Sequence, residues 1–130
     1  MGIEVSWDDE DKTIVRSDYA GHWTWEAYFD TVSQAVEMMK EAGKRVDMIA
    51  NMKPGIVPRS GSALTNARAT MRTLPPNMGM LVIVTNPFVR ALGNVFIKIN
   101  SEYKGKFILA DSVEQARAII LADRVKSEVK

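Results

Sequence analysis

The stretch Met78-Gly79-Met80-Leu81-Val82-Ile83-Val84-Thr85, followed at once by Asn86-Pro87, decides the reading of this chain. It is uncharged and almost entirely apolar, with none of the alternation that a strand with one wet face requires. Such a run marks a strand covered on both faces, as in the interior of a parallel sheet. Asn86-Pro87 is a helix start. The Asn oxygen can accept a free first-turn amide, and proline fits the first helical position, where an N–H has no helical partner. A buried strand that leads directly into a helix is half of a strand–helix–strand crossover.

The pattern repeats downstream. Leu92, Val95, Phe96 and Ile99 give the helix after Asn86 a buried face. Gly105 breaks the chain, and Phe107-Ile108-Leu109-Ala110 is a short buried strand. Asp111-Ser112-Val113-Glu114 has capping-box spacing, with Asp111 capping and Glu114 reaching back. Ala116, Ile119 and Ile120 face the core from the last helix, and residues 126–130 read as a frayed tail.

Upstream, Ser60 or Ser62 caps a helix carrying Leu64, Ala67, Arg68 and Met71. Before it comes the apolar strand Val46-Asp47-Met48-Ile49-Ala50-Asn51-Met52, stopped by Lys53-Pro54-Gly55. Earlier still, Thr24 caps a helix whose stripe is Trp25, Phe29, Val32, Val36 and Met39, with Tyr28 and Ala35 beside them, closed by Gly43. The chain opens with a hairpin: Ile3, Val5 and Trp7 alternate with polar residues, and Thr13 to Arg16 returns across the turn at Asp8–Asp11. The order β-β-α-β-α-β-α-β-α predicts an α/β domain over residues 1–125. Its mostly parallel sheet of about five strands has an N-terminal antiparallel edge hairpin and about four helices.

Composition bounds the function. At 130 residues, with 46% hydrophobic and 25% charged residues, the chain suits one globular domain. It contains no cysteine, which excludes disulfides, thiolate zinc sites and cysteine nucleophiles and suits a reducing, cytoplasmic setting. The acidic start lacks the form of a signal peptide, and no apolar run is long enough to span a bilayer. The net charge of +1 is unevenly spread. Residues 1–43 hold ten acids and three bases, a balance of −7, whereas residues 44–106 hold ten bases and only Asp47 and Glu102, a balance of +8. The electropositive middle suits an anion or an acidic partner. Nucleic-acid binding is not expected, because the aromatics cluster in the acidic first third rather than among the bases.

The segments Gly21-His22-Trp23-Thr24-Trp25-Glu26, Asn86-Pro87-Phe88-Val89-Arg90-Ala91-Leu92 and Ala110-Asp111-Ser112-Val113-Glu114-Gln115-Ala116-Arg117, with this element order and length, resemble the STAS domain of anti-sigma-factor antagonists. The likeness covers nearly the whole chain and is closer to an uncharacterised bacterial STAS-like group than to the antagonists. It implies a non-enzymatic regulatory module that binds a protein, such as a kinase or another regulator, or a second copy of itself. In the antagonists a serine at the start of the helix after the third strand is phosphorylated, in an Asp-Ser context. Here that loop is Pro58-Arg59-Ser60-Gly61-Ser62, with Arg59 in place of the acid. The candidate phosphorylation or partner face is therefore Arg59, Ser60, Ser62, Arg68 and Arg72.

Three further expectations come from the residues themselves. Ligands of parallel α/β sheets bind beyond the strand C-termini, near a topological switch point. This makes Asn86, Arg90 and Asp111 candidates for an anion- or ligand-binding rim. Seven of the eight methionines, Met38, Met39, Met48, Met52, Met71, Met78 and Met80, with Trp23, Trp25, Phe29, Phe88 and Phe96, are candidates to line a pocket for an apolar, lipid-like small molecule, the alternative function. No catalytic set is visible, since His22 is the only histidine and has no identifiable partner. No metal site or cofactor motif is visible either.

Overall fold

The computed structural model describes residues 2–129, with the backbone alone for Val129. Its elements are β1 (Ile3–Trp7), β2 (Ile14–Tyr19), the short β3 (Gly21–His22), α1 (Trp25–Ala42), β4 (Val46–Asn51), the short β5 (Gly55–Ile56), α2 (Ala63–Thr73), β6 (Met78–Val84), α3 (Pro87–Ile99), a 3-10 turn (Ser101–Tyr103), β7 (Phe107–Ala110) and α4 (Val113–Val129). The main sheet has the order β1-β2-β4-β6-β7, with β1 antiparallel to β2 and every other pairing parallel. β3 and β5 form a small parallel ladder of their own. This is the expected α/β architecture. Helix α4 continues through Val129, across residues read from sequence as a frayed tail; Lys130 lies outside the described residues.

Strand order explains the layering. From β2 through α1 to β4, through α2 to β6 and through α3 to β7, each crossover steps the same way across the sheet. Right-handed crossovers that all step one way put their helices on one face. One core accordingly joins Val15, Tyr19, Met48, Ala50, Leu81 and Ile83 of the sheet to α1, Met71 of α2, and Val89 and Phe96 of α3. The other core joins Ile14, Ile49, Met80, Val82, Val84 and Ala110 to Ala116 and Ile120 of α4.

The helix ends follow local chemistry. Thr24 Oγ1 accepts from Ala27 N (3.1 Å), Ser62 Oγ from Thr65 N (3.2 Å) and Asn86 Oδ1 from Val89 N (2.9 Å). Gly43 closes α1 at φ 65°, a left-handed conformation that costs glycine nothing. The expected cap of α4 is displaced by one residue. Ser112, not Asp111, accepts from Gln115 N (3.0 Å), and Gln115 rather than Glu114 reaches back, to Asp111 N (2.5 Å). Two buried faces also differ from the expected stripes. Tyr28 replaces Phe29 on the inner side of α1, and α3 buries Val89, Gly93 and Phe96 while Val95 and Ile99 are exposed.

The deciding strand carries an irregularity. Val46 pairs with Met78 but Met48 pairs with Leu81, so β6 spends one extra residue opposite Asp47. This bulge sends Met78 to the α1 core and Met80 to the α4 core. Asp47 is fully buried and fills the gap: its Oδ1 accepts the Met80 amide (2.8 Å), and its carboxylate pairs with Arg45 (2.9 Å) and Arg124 of α4 (2.8 Å). A Cβ on Gly79 would collide with that carboxylate and with the Arg45 guanidinium, so a larger residue at the bulge would displace the ion pair. A second cluster ties α4 to the hairpin, where Asp8 accepts from Arg117 (2.8 Å) and pairs with Arg16 (3.3 Å).

Replacing Asp47 by Ala removes the carboxylate, orphans the Met80 amide, takes the carboxylate partner from Arg124 and leaves Arg45 with Asp123 alone. We expect a loss of about 3 kcal/mol, seen as a lower urea midpoint with an unchanged slope. The acid limb of stability follows from two other carboxylates. Asp8 is held below the ordinary Asp range by its hydrogen bond from Arg117, reinforced by Arg16 and only partly opposed by burial. For Asp9, burial pushes upward but is outweighed by bonds from the Thr13 hydroxyl and the Thr13 and Ile14 amides, so it too is lowered. Both groups are ionised in the fold at pH values where the unfolded chain already binds protons. Their stabilisation is therefore full above about pH 5 and is lost as pH falls below about 4 toward the folded values. Urea midpoints measured from pH 7 to pH 2 should trace this decline, and Arg117→Ala should make it shallower.

Candidate functional site

The three-helix face of the sheet is not fully filled. Helix α2 lies between α1 and α3, and of its eleven residues only Thr70 and Met71 are buried. Beneath it is a partly enclosed cavity of about 90 Å³. Its floor is Met48, Ala50, Leu81, Ile83 and Leu109, which alternate onto this face of β4, β6 and β7. Its roof is Leu64, Ala67, Thr70, Met71 and Leu74 of α2 and the residue that follows it. One wall is aromatic, made by Tyr19, Trp23, Trp25 and Tyr28; the other is Val89, Leu92 and Phe96 of α3. Among the described residues, no Lys, Arg, His, Asp or Glu lines the cavity.

The aromatic wall is held by its own geometry. Trp23 stacks on Tyr28 with ring centroids 5.9 Å apart and meets Trp25 (4.9 Å) and Tyr19 (5.1 Å) edge to face. Trp25 Nε1 donates to Ser60 O (2.8 Å), which ties the loop before α2 to α1. The hydroxyls of Tyr28 and Thr70 lie 2.6 Å apart, and Thr70 Oγ1 donates to Asn66 O (2.9 Å), so Tyr28 is the donor to Thr70. Burial raises both the Tyr19 and Tyr28 phenols, with Tyr28 adding to the rise at Tyr19, so both stay neutral. The wall is therefore apolar and uncharged.

Of the pocket residues expected from sequence, Trp23, Trp25, Phe96, Met48, Met52 and Met71 line the cavity. Phe29 and Phe88 are exposed on the outer faces of α1 and α3, and Met38, Met39, Met78 and Met80 pack elsewhere. Sequence reading missed Tyr19, Tyr28 and Thr70. The readable signal for Tyr28 was its place in the α1 stripe beside Phe29.

The expected rim is assembled but self-satisfied. Asn86 Nδ2 donates to Lys53 O (3.2 Å), Lys53 Nζ to Asp111 O (3.0 Å), and Arg90 pairs with Asp111 (2.6 Å) across exposed side chains. The three loops thus meet beyond the strand ends, but the order β1-β2-β4-β6-β7 never reverses, so the expected topological switch point is absent. The α2 face is dispersed. Arg59 and Ser60 are exposed in the loop held by Trp25, and Ser62 is the helix cap. Arg68 donates to the buried Asn100 Oδ1 (2.6 Å), while Arg72 is exposed.

His22 is exposed in β3, where it pairs with Ile56. Among the described residues no group of three or more His, Asp or Glu comes together to hold a metal, and no helix is long and apolar enough to cross a membrane.

No family model and no curated protein matches the chain.

Proposed function

We propose that the chain binds an apolar small molecule in the cavity beneath α2, as a carrier or sensor. The observation that carries this reading is the uncharged, aromatic- and methionine-walled cavity itself. A dry apolar cavity gains free energy when an apolar molecule supplies the dispersion contacts that its lining lacks. Helix α2 is the natural gate, because it buries only Thr70 and Met71 and is otherwise held by half-buried Leu64 and Ala67, the Tyr28–Thr70 and Arg68–Asn100 bonds, and the loop on Trp25. The absence of cysteine suits work in the cytoplasm. Benzene, tested as a simple probe, should raise the thermal midpoint of the wild-type protein, since a ligand bound only by the folded state stabilises it. Ala67→Phe, which places a ring in the roof, should abolish that rise. A midpoint unmoved by benzene at its solubility limit would refute the reading.

A second reading keeps the STAS-like regulatory module, supported by element order and by the outer face of α3. Phe88 (61% exposed), Val95 (43%) and Ile99 (62%), with half-buried Leu92, form an apolar stripe at helical spacing. Exposed Lys98 lies within it, exposed Lys104 and Lys106 follow in the chain with Glu102 before them, and Arg68 of the adjoining α2 reaches Asn100 at its C-terminal end. Such a face suits a protein partner that presents apolar side chains within an acidic surround. Phosphate on Ser60 or Ser62 would add negative charge at the start of α2, next to Arg59, and weaken that attraction. Ile99→Glu should change stability by less than about 0.5 kcal/mol, because the side chain is exposed. It should also release a protein that co-purifies with the wild type, whereas Leu121→Glu on exposed α4 should retain it. Loss in both variants, or in neither, would rule out the α3 stripe.

A further inference from the structure

The apolar surface of the cavity does not end at α3. Leu92 is half-buried and lines the cavity, and the same side chain belongs to the exposed stripe of Phe88, Val95 and Ile99. Residues three and four apart are neighbours on a helix surface, so an apolar strip runs from the cavity across Leu92 to Val95 and on to Ile99. Over that span the helix rises about 10 Å. A cation stands at its far end. Arg68 of α2 is exposed, and its guanidinium donates to Oδ1 of Asn100, the residue after Ile99 (2.6 Å). Asn100 is itself fixed, buried with its Nδ2 donating to Phe96 O (3.1 Å). A neutral amide therefore holds the guanidinium in place and leaves its charge uncompensated. Among the described residues no carboxylate, Glu102 included, lies within ion-pair distance of Arg68 or of exposed Lys98. At the Phe88 end the bases are already engaged, Arg90 with Asp111 (2.6 Å) and Lys53 with Asp111 O (3.0 Å).

Resting on the cavity reading above, we infer that the ligand is a single-chain alkyl carboxylate. Its tail enters the cavity, its chain lies along Leu92, Val95 and Ile99, and its carboxylate pairs with Arg68. The enclosed volume of about 90 Å³ takes only the end of such a chain, and the exposed strip takes the rest. The planar fork of an arginine matches the two oxygens of a carboxylate. The head group stays at the exposed end of the strip, so no charge enters the uncharged cavity. A neutral hydrocarbon would cover the same apolar surface but leave the guanidinium without a counter-charge. A cationic amine would meet Arg68 and Lys98 as like charges.

The test titrates the protein with decanoate, with decan-1-ol of the same chain length and with butanoate of the same head group, by calorimetry at a pH where the carboxylates are ionised. Benzene reports on the cavity alone. Decanoate should bind about tenfold tighter than decan-1-ol, the worth of a charged hydrogen-bonded pair, and at least about a hundredfold tighter than butanoate. Arg68→Gln should remove the first difference. Ile99→Glu, which sets a like charge beside the head group, should weaken decanoate about tenfold and leave benzene unmoved. The wild-type comparison needs no variant, so the test survives if Arg68→Gln fails to fold. If benzene binds but decan-1-ol matches decanoate, or butanoate matches it, the carboxylate site is wrong and the apolar cavity stands. If benzene does not bind, the cavity reading falls and this inference with it.

Discussion

A right-handed crossover between parallel strands can place its helix on only one side of the sheet, and here three such crossovers step in one direction. That constraint crowds α1, α2 and α3 onto one face and leaves the other to α4. The two faces then solve different packing problems. On the crowded face α1 and α3 contribute large inward side chains, including Tyr28, Met39 and Phe96, while the intervening α2 buries only Thr70 and Met71. The middle of that layer is under-filled, and the floor beneath it consists of apolar residues whose strand alternation points them there. The cavity is thus a product of topology and of the shallow burial of α2.

On the other face a single helix covers the three strands β4, β6 and β7, and it is fastened partly by charge. Burying Asp47 costs desolvation that Arg45, Arg124 and the Met80 amide offset only together. The same carboxylate fixes the bulge in β6, and the bulge sets which core receives Met78 and which receives Met80. Register, helix docking and core composition therefore meet at one buried acid. Asp8 repeats the device at the hairpin, where Arg117 and Arg16 converge on it.

Most of the fold was legible because its signals are local. Thr24, Ser62 and Asn86 cap helices through their own side chains, Gly43 ends α1 through its own backbone freedom, and residues 78–85 are apolar whatever surrounds them. The errors lie where a local pattern has two solutions. Ser112 and Asp111 are adjacent capping residues, and only the path of the chain out of β7 selects Ser112. Val95 and Ile99 have the spacing of a buried stripe, but α3 is apolar around much of its surface, and its rotation against β7 turns them outward. Asp47 inside an apolar strand was a readable sign of a buried charge; its partners, Arg45 two residues before it and Arg124 more than seventy residues later, were not.

The candidate site divides the same way. The sequence by itself determined the element order, the crossovers, most helix caps and the supply of methionines and aromatics, because each depends on residues near in the chain or on composition. Only the tertiary structure decided which of those side chains share a cavity. It excluded Phe29 and Phe88 and admitted Tyr19 and Tyr28. Convergence on a cavity depends on the rotation of each helix about its axis and on the width left between α1 and α3, and these are set by packing across the whole sheet.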